Sequence, residues 1–302
     1  MMKNSPPLVG GIKMSNYSTQ EQISSGVYKI MDKFENIIPD LDNAFVMLKI
    51  NLCLLIGPET GATVDPKVVR GLVDWFFERR NIKEIIIAES DATHMSAEIA
   101  YRALGWESYF EDLDNVRFLN LSKDRLVEVR SEKMYIKDLR MSETYMNCDW
   151  LIDVAKLKTH TEQVITCCMK NIFGAIPEKV KHVYHPRLTD AICDANAARL
   201  PNFGFIDGLI AVENDGPTKG TPRLTGLLLA GNNVVALDHY SAKIMGFNPN
   251  RIPHLKMAIT RGLGTFNYSV ITPEIKKCNP PFSFMPRWKQ VVRWGVGKLR
   301  SN

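Results

Sequence analysis

Short apolar segments alternate with amphipathic helical patterns along most of this chain, and this alternation constrains the fold more than any other feature. The segments FVMLKINL (residues 45–52) and EIIIAES (residues 84–90) predict strands, and Asp65 followed by Pro66 between them is typical of a helix start. Strands that are apolar on both faces are usually covered by helices on both sides. We therefore predict an α/β fold with three layers, in which helices cover both faces of a largely parallel or mixed sheet.

The rest of the chain continues this pattern. Further helices are predicted through Val27 to Phe34, around AEIAYRALGW, over VITCCMKNIFGAI, over TDAICDANAARL and, with Asp238 as N-cap, over HYSAKIMGF. Further strands are predicted for VRFLNL, LVEVR, WLIDVAKLK, FGFIDGLIAVE and RLTGLLLAG. No internal repeat and no clear linker divides the sequence, so we expect one domain.

The two ends of the chain differ from this central part. Residues 1–22 are polar and contain Pro6-Pro7 and Gly10-Gly11, which indicates a mobile N-terminal arm. The single α/β domain is predicted to span residues 23–272, and residues 273–302 are predicted to form a basic tail. The N-terminus has no apolar run typical of a signal peptide, and no stretch of about 18 residues is apolar throughout, so we expect a cytoplasmic protein.

The tail sequence RWKQVVRWGVGKL predicts an amphipathic helix. Its apolar side would carry Trp288, Val291, Val292, Val296 and Leu299. Such a helix over residues 286–300 would suit a peripheral membrane contact or a contact with a partner. Docking onto its own domain, or onto a second copy in a homodimer, is the simpler alternative. Pro280-Pro281 suggests that the tail is set apart from the domain.

The net charge of +5 does not indicate a nucleic-acid-binding surface. Seven Lys or Arg and no acid lie in residues 275–302, so the rest of the chain carries a small negative charge. The six cysteines are scattered and form no CxxC pair. We therefore predict mostly buried thiols, and neither a zinc ribbon nor an iron–sulfur motif.

The segment WLIDVAKLKTH is the strongest candidate for a functional site. If it is a strand, Lys156, Lys158 and His160 alternate onto one face. In parallel α/β sheets, ligands collect beyond the carboxyl ends of strands, where Thr159 and His160 would lie. Two cations and an imidazole there favour an anionic substrate or acid–base chemistry. A solvated strand end is the alternative.

Two nearby segments extend this candidate site. On a helix, CCMKNIFGAI would place Lys170 or Asn171 on the same stripe as Gly174, which suits the close approach of a ligand; a polar helix face with a glycine cap is the alternative. In KVKHVYH, His182 and His185 lie one helical turn apart. Together with His160 they are candidate metal ligands, or equally candidate proton donors.

Two loops carry further polar candidates. In PETGATVDP, Thr60 and Thr63 precede a helix N-terminus, which attracts anions, although a structural turn explains them equally well. Asp207 lies at the end of a predicted strand, where it would position a lysine or a metal. The sequence Asp215-Gly216-Pro217 is more simply a turn.

Taken together, these segments resemble the family known as domain of unknown function 362. The resemblance covers residues 45–266 and rests on KIN with Asn51, PETGAT, IIIAES, KLKTH, KNIFGAIP, the KxxYH pattern from Lys181 to His185, IDG and DGPTKGTP. The chain departs from the family pattern at Ile50, where proline is usual, and at Asn233-Val234, where Asp-Pro is usual. Many members carry a cysteine-rich ferredoxin module, which this chain lacks. A fainter similarity links the central segment to nickel-pincer lactate racemases, without their glycine-rich lysine motif.

These observations favour an enzyme that acts on a small anionic molecule by proton transfer, of isomerisation, elimination or aromatisation type. The candidate catalytic residues are Lys158, His160, Lys170 and His185, and the candidate substrate-binding residues are Asn51, Thr60, Thr63, Lys156, Asn171, Lys181 and Asp207. Histidine suits this role because its unperturbed pKa of about 6.5 lets it take and give a proton. A metal- or cofactor-dependent oxidoreductase and a non-catalytic binding or scaffold protein remain as alternatives, and the cofactor, a transition metal or none, is left open.

Overall fold

The computed structural model describes residues 5–93, 95–131, 134–273 and 275–285. The strands are Leu8–Lys13 (β1), Phe45–Lys49 (β2), Glu84–Glu89 (β3), Val116–Asn120 (β4), Leu126–Glu128 (β5), Arg140–Ser142 (β6), Trp150–His160 (β7), Val164–Thr166 (β8), Phe203–Glu213 (β9), Thr221–Gly231 (β10) and Ser269–Val270 (β11). The α-helices are Gln20–Met31 (α1), Pro66–Arg79 (α2), Ala97–Ala103 (α3), Glu143–Asn147 (α4), Cys168–Phe173 (α5), Leu188–Ala198 (α6), Val234–Met245 (α7) and Pro253–Thr260 (α8). Short 3₁₀ helices include Pro58–Thr60 and Lys181–Arg187.

Nine of the described strands form one mixed, mostly parallel sheet. Its order is β11-β1-β10-β9-β7-β2-β3-β4, and β8 pairs with β7 outside this path. The strands from β9 through β7, β2 and β3 to β4 are parallel to one another. The strands β10 and β8 run antiparallel to their neighbours β9 and β7. The parallel part therefore directs five carboxyl ends towards the same edge of the sheet.

Both faces of the sheet are buried under helices. On β2, Val46 and Leu48 pack with the apolar residues of α1, α2 and α3, whereas Met47 between them packs with those of α5 to α8. This alternation on a strand buried on both sides is the reason for its nearly continuous apolar sequence. The predicted three-layer α/β architecture is confirmed. The predicted start of α2 is also confirmed, because the Asp65 side chain accepts a hydrogen bond from Lys67 N.

The prediction of a mobile arm over residues 1–22 is wrong for its central part. Leu8–Lys13 forms β1, which pairs with β10 and with β11, so the sheet begins before residue 23. The glycines that suggested mobility instead permit close packing. A Cβ atom on Gly11 would lie 2.4 Å from Leu229 Cδ2 and 2.5 Å from Ile275 Cδ1.

The helix predicted over VITCCMKNIFGAI is shorter than expected. Val164–Thr166 forms β8, which pairs antiparallel with the end of β7, and α5 begins only at Cys168. Ile165 and Thr166 are β-branched and suit an extended backbone better than a helix, Val164 enters the strand with a positive φ of 67°, and β7 supplies the pairing.

The predicted N-cap role of Asp238 is also wrong. Asn233 caps α7 by accepting from Ala236 N at 2.9 Å, and Asp238 lies inside that helix. Its buried carboxylate instead accepts the backbone N–H groups of Cys168 and Met169, at 2.8 and 2.9 Å. Asp238 therefore caps α5, a helix distant in sequence.

The region around Pro280-Pro281 is not set apart from the domain. Cys278 N donates to Ile244 O and Phe282 N donates to Met245 O, both at 2.8 Å, and the side chain of Phe282 is buried. Residues 278–285 thus pack against the end of α7. The amphipathic helix predicted over residues 286–300 lies outside the described residues. Within the described ranges, no helix combines the length and apolar character needed to cross a membrane.

Candidate functional site

A cavity of about 550 Å³ opens at the carboxyl-end edge of the parallel strands. The ends of β2, β3 and β7 contribute Asn51, Glu89, Lys158 and His160, and α5 contributes Lys170 and Asn171. The 3₁₀ helix Lys181–Arg187 closes one side with Lys181 and His185. Seven of the eleven predicted catalytic and substrate-binding residues line this cavity, namely Asn51, Lys158, His160, Lys170, Asn171, Lys181 and His185. The other four lie outside it.

The ammonium group of Lys158 is fixed at the end of β7. Its Nζ donates to Asn51 Oδ1 at 2.8 Å and to Ala62 O at 2.7 Å, and it lies 3.6 Å from Cys53 Sγ. Both oxygen partners are uncharged, so no carboxylate neutralises this cation directly. Burial lowers the pKa of Lys158.

Two amide side chains connect Lys158 to the interior of the sheet. Asn51 Nδ2 donates to Asn171 Oδ1 at 2.8 Å, and Asn171 Nδ2 donates to Asp153 Oδ1 at 2.6 Å. Burial raises the pKa of Asp153 well above its usual value. The two asparagines therefore have oriented amides, because each has its oxygen and its nitrogen committed to a named partner.

His160 is held in one orientation by the backbone. Its Nδ1 accepts hydrogen bonds from Glu162 N at 3.1 Å and from Gln163 N at 3.2 Å. Burial, followed by the charge of Lys170, lowers the pKa of His160 well below its usual value. The ring is therefore neutral, and since Nδ1 is the acceptor, Nε2 carries the proton. This corrects the expectation that His160 titrates near its unperturbed pKa.

Lys170 differs from the other lysines that line the cavity. Its Nζ has no hydrogen-bond or ion-pair partner among the described residues and lies 5.6 Å from the centre of the Phe173 ring. Burial and then the charge of Lys158 lower its pKa to about 8. At this pKa about a tenth of the amine is neutral at pH 7, far more than for an ordinary lysine, and about half is neutral at pH 8.

Lys181 is bound just beyond the end of β3. Its Nζ donates to Ser90 Oγ at 2.9 Å and to Asp91 O. Burial lowers the pKa of Lys181 to about 8. Like Lys158, it is bound by neutral oxygens, so its charge remains available to an anion.

A buried ion pair lies next to Gly174, at the cavity lining. Lys49 Nζ lies 2.7 Å from Glu89 Oε1, and Glu89 also accepts from Leu52 N and Ser90 N, each at 2.9 Å. We did not predict Lys49, Glu89, Ser90 or Cys53 as site residues. The signal was present in the sequence, because Lys49 and Glu89 end the two strands FVMLK and EIIIAE.

The two histidines of KVKHVYH, His182 and His185, do not line the same cavity. His185 lines the cavity and its Nδ1 lies 3.3 Å from Glu162 Oε2, whereas His182 is exposed and outside the lining. Across the described ranges, no three or more His, Cys, Asp or Glu side chains gather as a group that could hold a metal ion. The metal role predicted for His160, His182 and His185 stays a prediction.

Four predicted substrate-binding residues lie outside the lining of the cavity. Lys156 Nζ is 2.6 Å from Asp207 Oδ2, and Asp207 also accepts from Asp65 N at 2.9 Å. Thr60 Oγ1 donates to Gly57 O at 2.7 Å, and Thr63 Oγ1 donates to Ile56 O at 3.0 Å. The contact between Asp65 N and Asp207 holds the start of α2 against β9, and the two threonines make hydrogen bonds within the preceding loop.

Most of the chain, including the residues that line the cavity, matches one protein family. The model of the family described as Domain of unknown function (DUF362) matches residues 46–243, which include all of β2 except Phe45, together with β7, α5 and the 3₁₀ helix that contains Lys181. The chain belongs to this family. The DUF362 match thus contains every lining residue named above.

The thylakoid-associated protein sll1697 of Synechocystis sp. is 35% identical over 168 residues, which cover 53% of this DUF362 chain and 50% of the relative. The chain therefore spans about half the length of that relative. A Thermotoga maritima crystal structure matches at 15% identity with a TM-score of 0.41, covering 69% of this chain and 54% of the other. The lactate racemase apoprotein of Thermoanaerobacterium thermosaccharolyticum matches at 12% identity with a TM-score of 0.41, covering 80% of this chain and 57% of the other.

Proposed function

We propose that this chain is an enzyme that transfers a proton on a small organic anion, in a reaction of isomerase or lyase type. The observation that carries the proposal is the amine of Lys170, which has no hydrogen-bond or ion-pair partner among the described residues, in a cavity that also contains Lys158 and Lys181. The cavity volume of about 550 Å³ suits a metabolite-sized ligand.

The charge balance of the cavity favours an anion. Of the carboxylates that line it, Glu89 is paired with Lys49 and Glu162 lies beside His185. The ammonium groups of Lys158 and Lys181 are bound by neutral oxygens, so their positive charges are not cancelled by direct contact. An anionic substrate group would supply the missing negative charge and would be held by two fixed cations.

The remaining two groups suit proton transfer. The amine of Lys170, with a pKa near 8, can accept a proton from carbon or oxygen and return it. The Nε2–H of neutral His160 can donate a hydrogen bond to an oxygen on which negative charge develops. Because the backbone already holds the ring, this donor needs no reorientation during the reaction.

The proposal can be tested before the substrate is known. Small carboxylates and phosphates are incubated with the full chain in D₂O, and loss of carbon-bound proton signals is followed by NMR. We expect at least one compound to exchange with the native protein and with Lys256→Met, an exposed lysine on α8, but not with Lys170→Met. Exchange that survives Lys170→Met would contradict the assignment. A chromophore or stoichiometric metal in anaerobically purified protein that shows no exchange would favour the oxidoreductase alternative.

A further inference from the structure

We propose that Lys170 binds its substrate covalently, as an imine with the carbonyl carbon of a small 2-oxo acid or a similar carbonyl-containing anion. This inference rests on the proposed function, since it assigns a substrate class and an intermediate to the same cavity.

The amine of Lys170 has no hydrogen-bond acceptor among the described residues. Lys158 and Lys181 each donate to two oxygen atoms, as is usual for an ammonium group that is withdrawn from water. Lys170 is only partly buried, lines the same cavity and donates to no oxygen among the described residues, with its Nζ over the Phe173 ring. A lysine held without an acceptor is better suited to act as a neutral amine than as a permanent cation.

The helix α5, which carries Lys170, is held at its N-terminus and along its length by buried hydrogen bonds. The N-terminus of α5 is fixed by the Asp238 carboxylate, which accepts from Cys168 N and Met169 N. The carbonyl of Met169 accepts from Asn196 Nδ2 at 2.8 Å, and the next side chain, Asn171, is bound to Asp153. The backbone on both sides of Lys170 is therefore fixed, so the side chain starts from one place at the cavity and its reach is limited before any ligand binds.

The charges around Lys170 favour its neutral form. The charged and titratable groups that act on Lys170, besides burial, are Lys158, Lys181, Cys53 and Glu162, and the amine in turn acts on His160. The two neighbouring ammonium groups disfavour a third positive charge. Adjacent cations and burial are the means by which lysines that form imines are kept nucleophilic.

The chemistry balances without a further reactant. The lone pair of the neutral amine attacks the carbonyl carbon, the π pair of the C=O bond moves to oxygen, and the nitrogen proton is passed to that oxygen through solvent. The resulting carbinolamine loses the oxygen as water when the C–O bond breaks and the C=N bond forms. Amine and carbonyl thus give imine and water, and protonation of the imine makes the adjacent C–H acidic. Because the Lys170 nitrogen no longer acts as the base once it is in the imine, the C–H proton passes to solvent water and is replaced from it, which is the exchange that the D₂O experiment follows.

The other groups of the cavity have defined places in this scheme. The Nε2–H of His160 is the donor for the carbonyl oxygen, and Lys158 and Lys181 bind the carboxylate of the 2-oxo acid. A simple aldehyde or ketone without an anionic group would lack the second anchor. We therefore expect pyruvate and 2-oxoglutarate to react more readily than acetone.

The experiment traps the imine by reduction. The full chain is incubated with pyruvate or 2-oxoglutarate and sodium borohydride, and the adduct is located by intact mass and peptide mapping. We expect one reduced adduct on Lys170, about tenfold or more above any exposed lysine because more of its amine is neutral at neutral pH. Lys256→Arg should be labelled like the native protein, and Lys170→Arg should lose this adduct.

The outcomes separate this inference from the proposed function. An absent adduct, or one spread evenly over exposed lysines, overturns the imine, and proton exchange that still depends on Lys170 would leave the proposed function standing. An adduct on Lys170 in a protein that exchanges no proton supports the imine and overturns proton transfer. Because the native protein itself is mapped, the result does not depend on whether Lys170→Arg folds.

Discussion

The Nζ of Lys156 lies 2.6 Å from Oδ2 of Asp207, and the two side chains are 1% and 0% exposed. The register of the parallel strands β7 and β9 sets these residues directly beside each other. Asp207 also accepts backbone N–H groups from Asp65 and Leu209, so its charge has several partners. The pair joins two central strands to the start of α2.

We predict that breaking this pair destabilises the fold. Asp207→Ala leaves the Lys156 ammonium buried without a counter-charge, and we expect it to lower the free energy of unfolding by about 3–5 kcal/mol. Glu107→Gln is the matched control, because its partner Arg102 is 77% exposed and such surface pairs contribute about 1 kcal/mol or less. Urea unfolding measures both changes. Similar small effects of the two substitutions would show that the buried pair contributes no more to the free energy of unfolding than the surface pair does.

A second prediction concerns the pH dependence of stability. Burial raises the pKa of Asp238 from 3.8 to about 7. Between these values the native state keeps a proton that the unfolded state has released, so the stability associated with this group is complete below about pH 4 and is lost as pH rises towards 7. The loss has an upper bound of about 4 kcal/mol, because each pKa unit corresponds to about 1.4 kcal/mol.

The substitution Asp238→Asn removes this titration. We expect the stability of the native protein to fall relative to that of Asp238→Asn as pH increases from 4 to 7, measured by urea unfolding at several pH values. Asp153 titrates in both proteins, and since the charge of Asp238 is one cause of its raised pKa, the comparison is repeated in an Asp153→Asn background to remove that contribution. Parallel curves across this range would contradict the raised pKa.

The third prediction concerns activity, measured as proton exchange once a substrate is found. If neutral Lys170 is the base, kcat should rise with pH through about 8 and then level off. Lys181 has a pKa of about 8 as well and loses its charge over the same range, so KM for an anionic substrate should increase there. A kcat that falls as pH rises from 7 to 8 would be incompatible with Lys170 as base.

The substitution Lys158→Met adds a directional test of the same electrostatics. Burial is the main cause of the lowered pKa of Lys170, and the charge of Lys158 is the next cause. Removing that charge should move the midpoint of the kcat profile to higher pH and raise KM. The conservative Lys158→Arg should keep the midpoint close to that of the native protein, so a role limited to folding is distinguishable.

The fourth prediction tests the packing of residues 278–285 on the domain. Phe282 is 4% exposed, and we expect Phe282→Ala to lower the free energy of unfolding by about 3–5 kcal/mol, as for other buried aromatic side chains. Leu224 is 73% exposed, and Leu224→Ala should change stability by about 0.5 kcal/mol or less. Equal effects in thermal or urea unfolding would mean that this segment does not belong to the core.

Much of the architecture was predictable because strand and helix periodicity are local properties. The start of α2 at Asp65-Pro66 and the apolar run of β3 were both identified from a few residues. The strand β1 was missed because its glycines pack against residues distant in sequence, Thr272 for Gly10 and Leu229 and Ile275 for Gly11. The role of Asp238 was missed for the same reason, since its partners are in α5.

The site was predictable only in part, for a related reason. Alternation correctly put Lys156 and Lys158 on one face of β7, but it does not show how far each lies from the end of the strand. That distance decides the outcome, because Lys158 reaches the cavity and Lys156 is enclosed beside Asp207. The pair formed by Lys49 and Glu89 depends on β2 and β3 being neighbours, which no local pattern reveals.

Cys53 gives the cavity its own reporter. Cys53 is only partly buried, and it is the one described cysteine that lines the cavity. Cys278 is also partly buried but lies away from the cavity. Alkylation of Cys53 therefore competes with whatever fills the cavity, and Cys278 provides an internal reference in the same molecule. A compound library can be screened by the ratio of the two labelling rates, without an assay for turnover and without knowledge of the product.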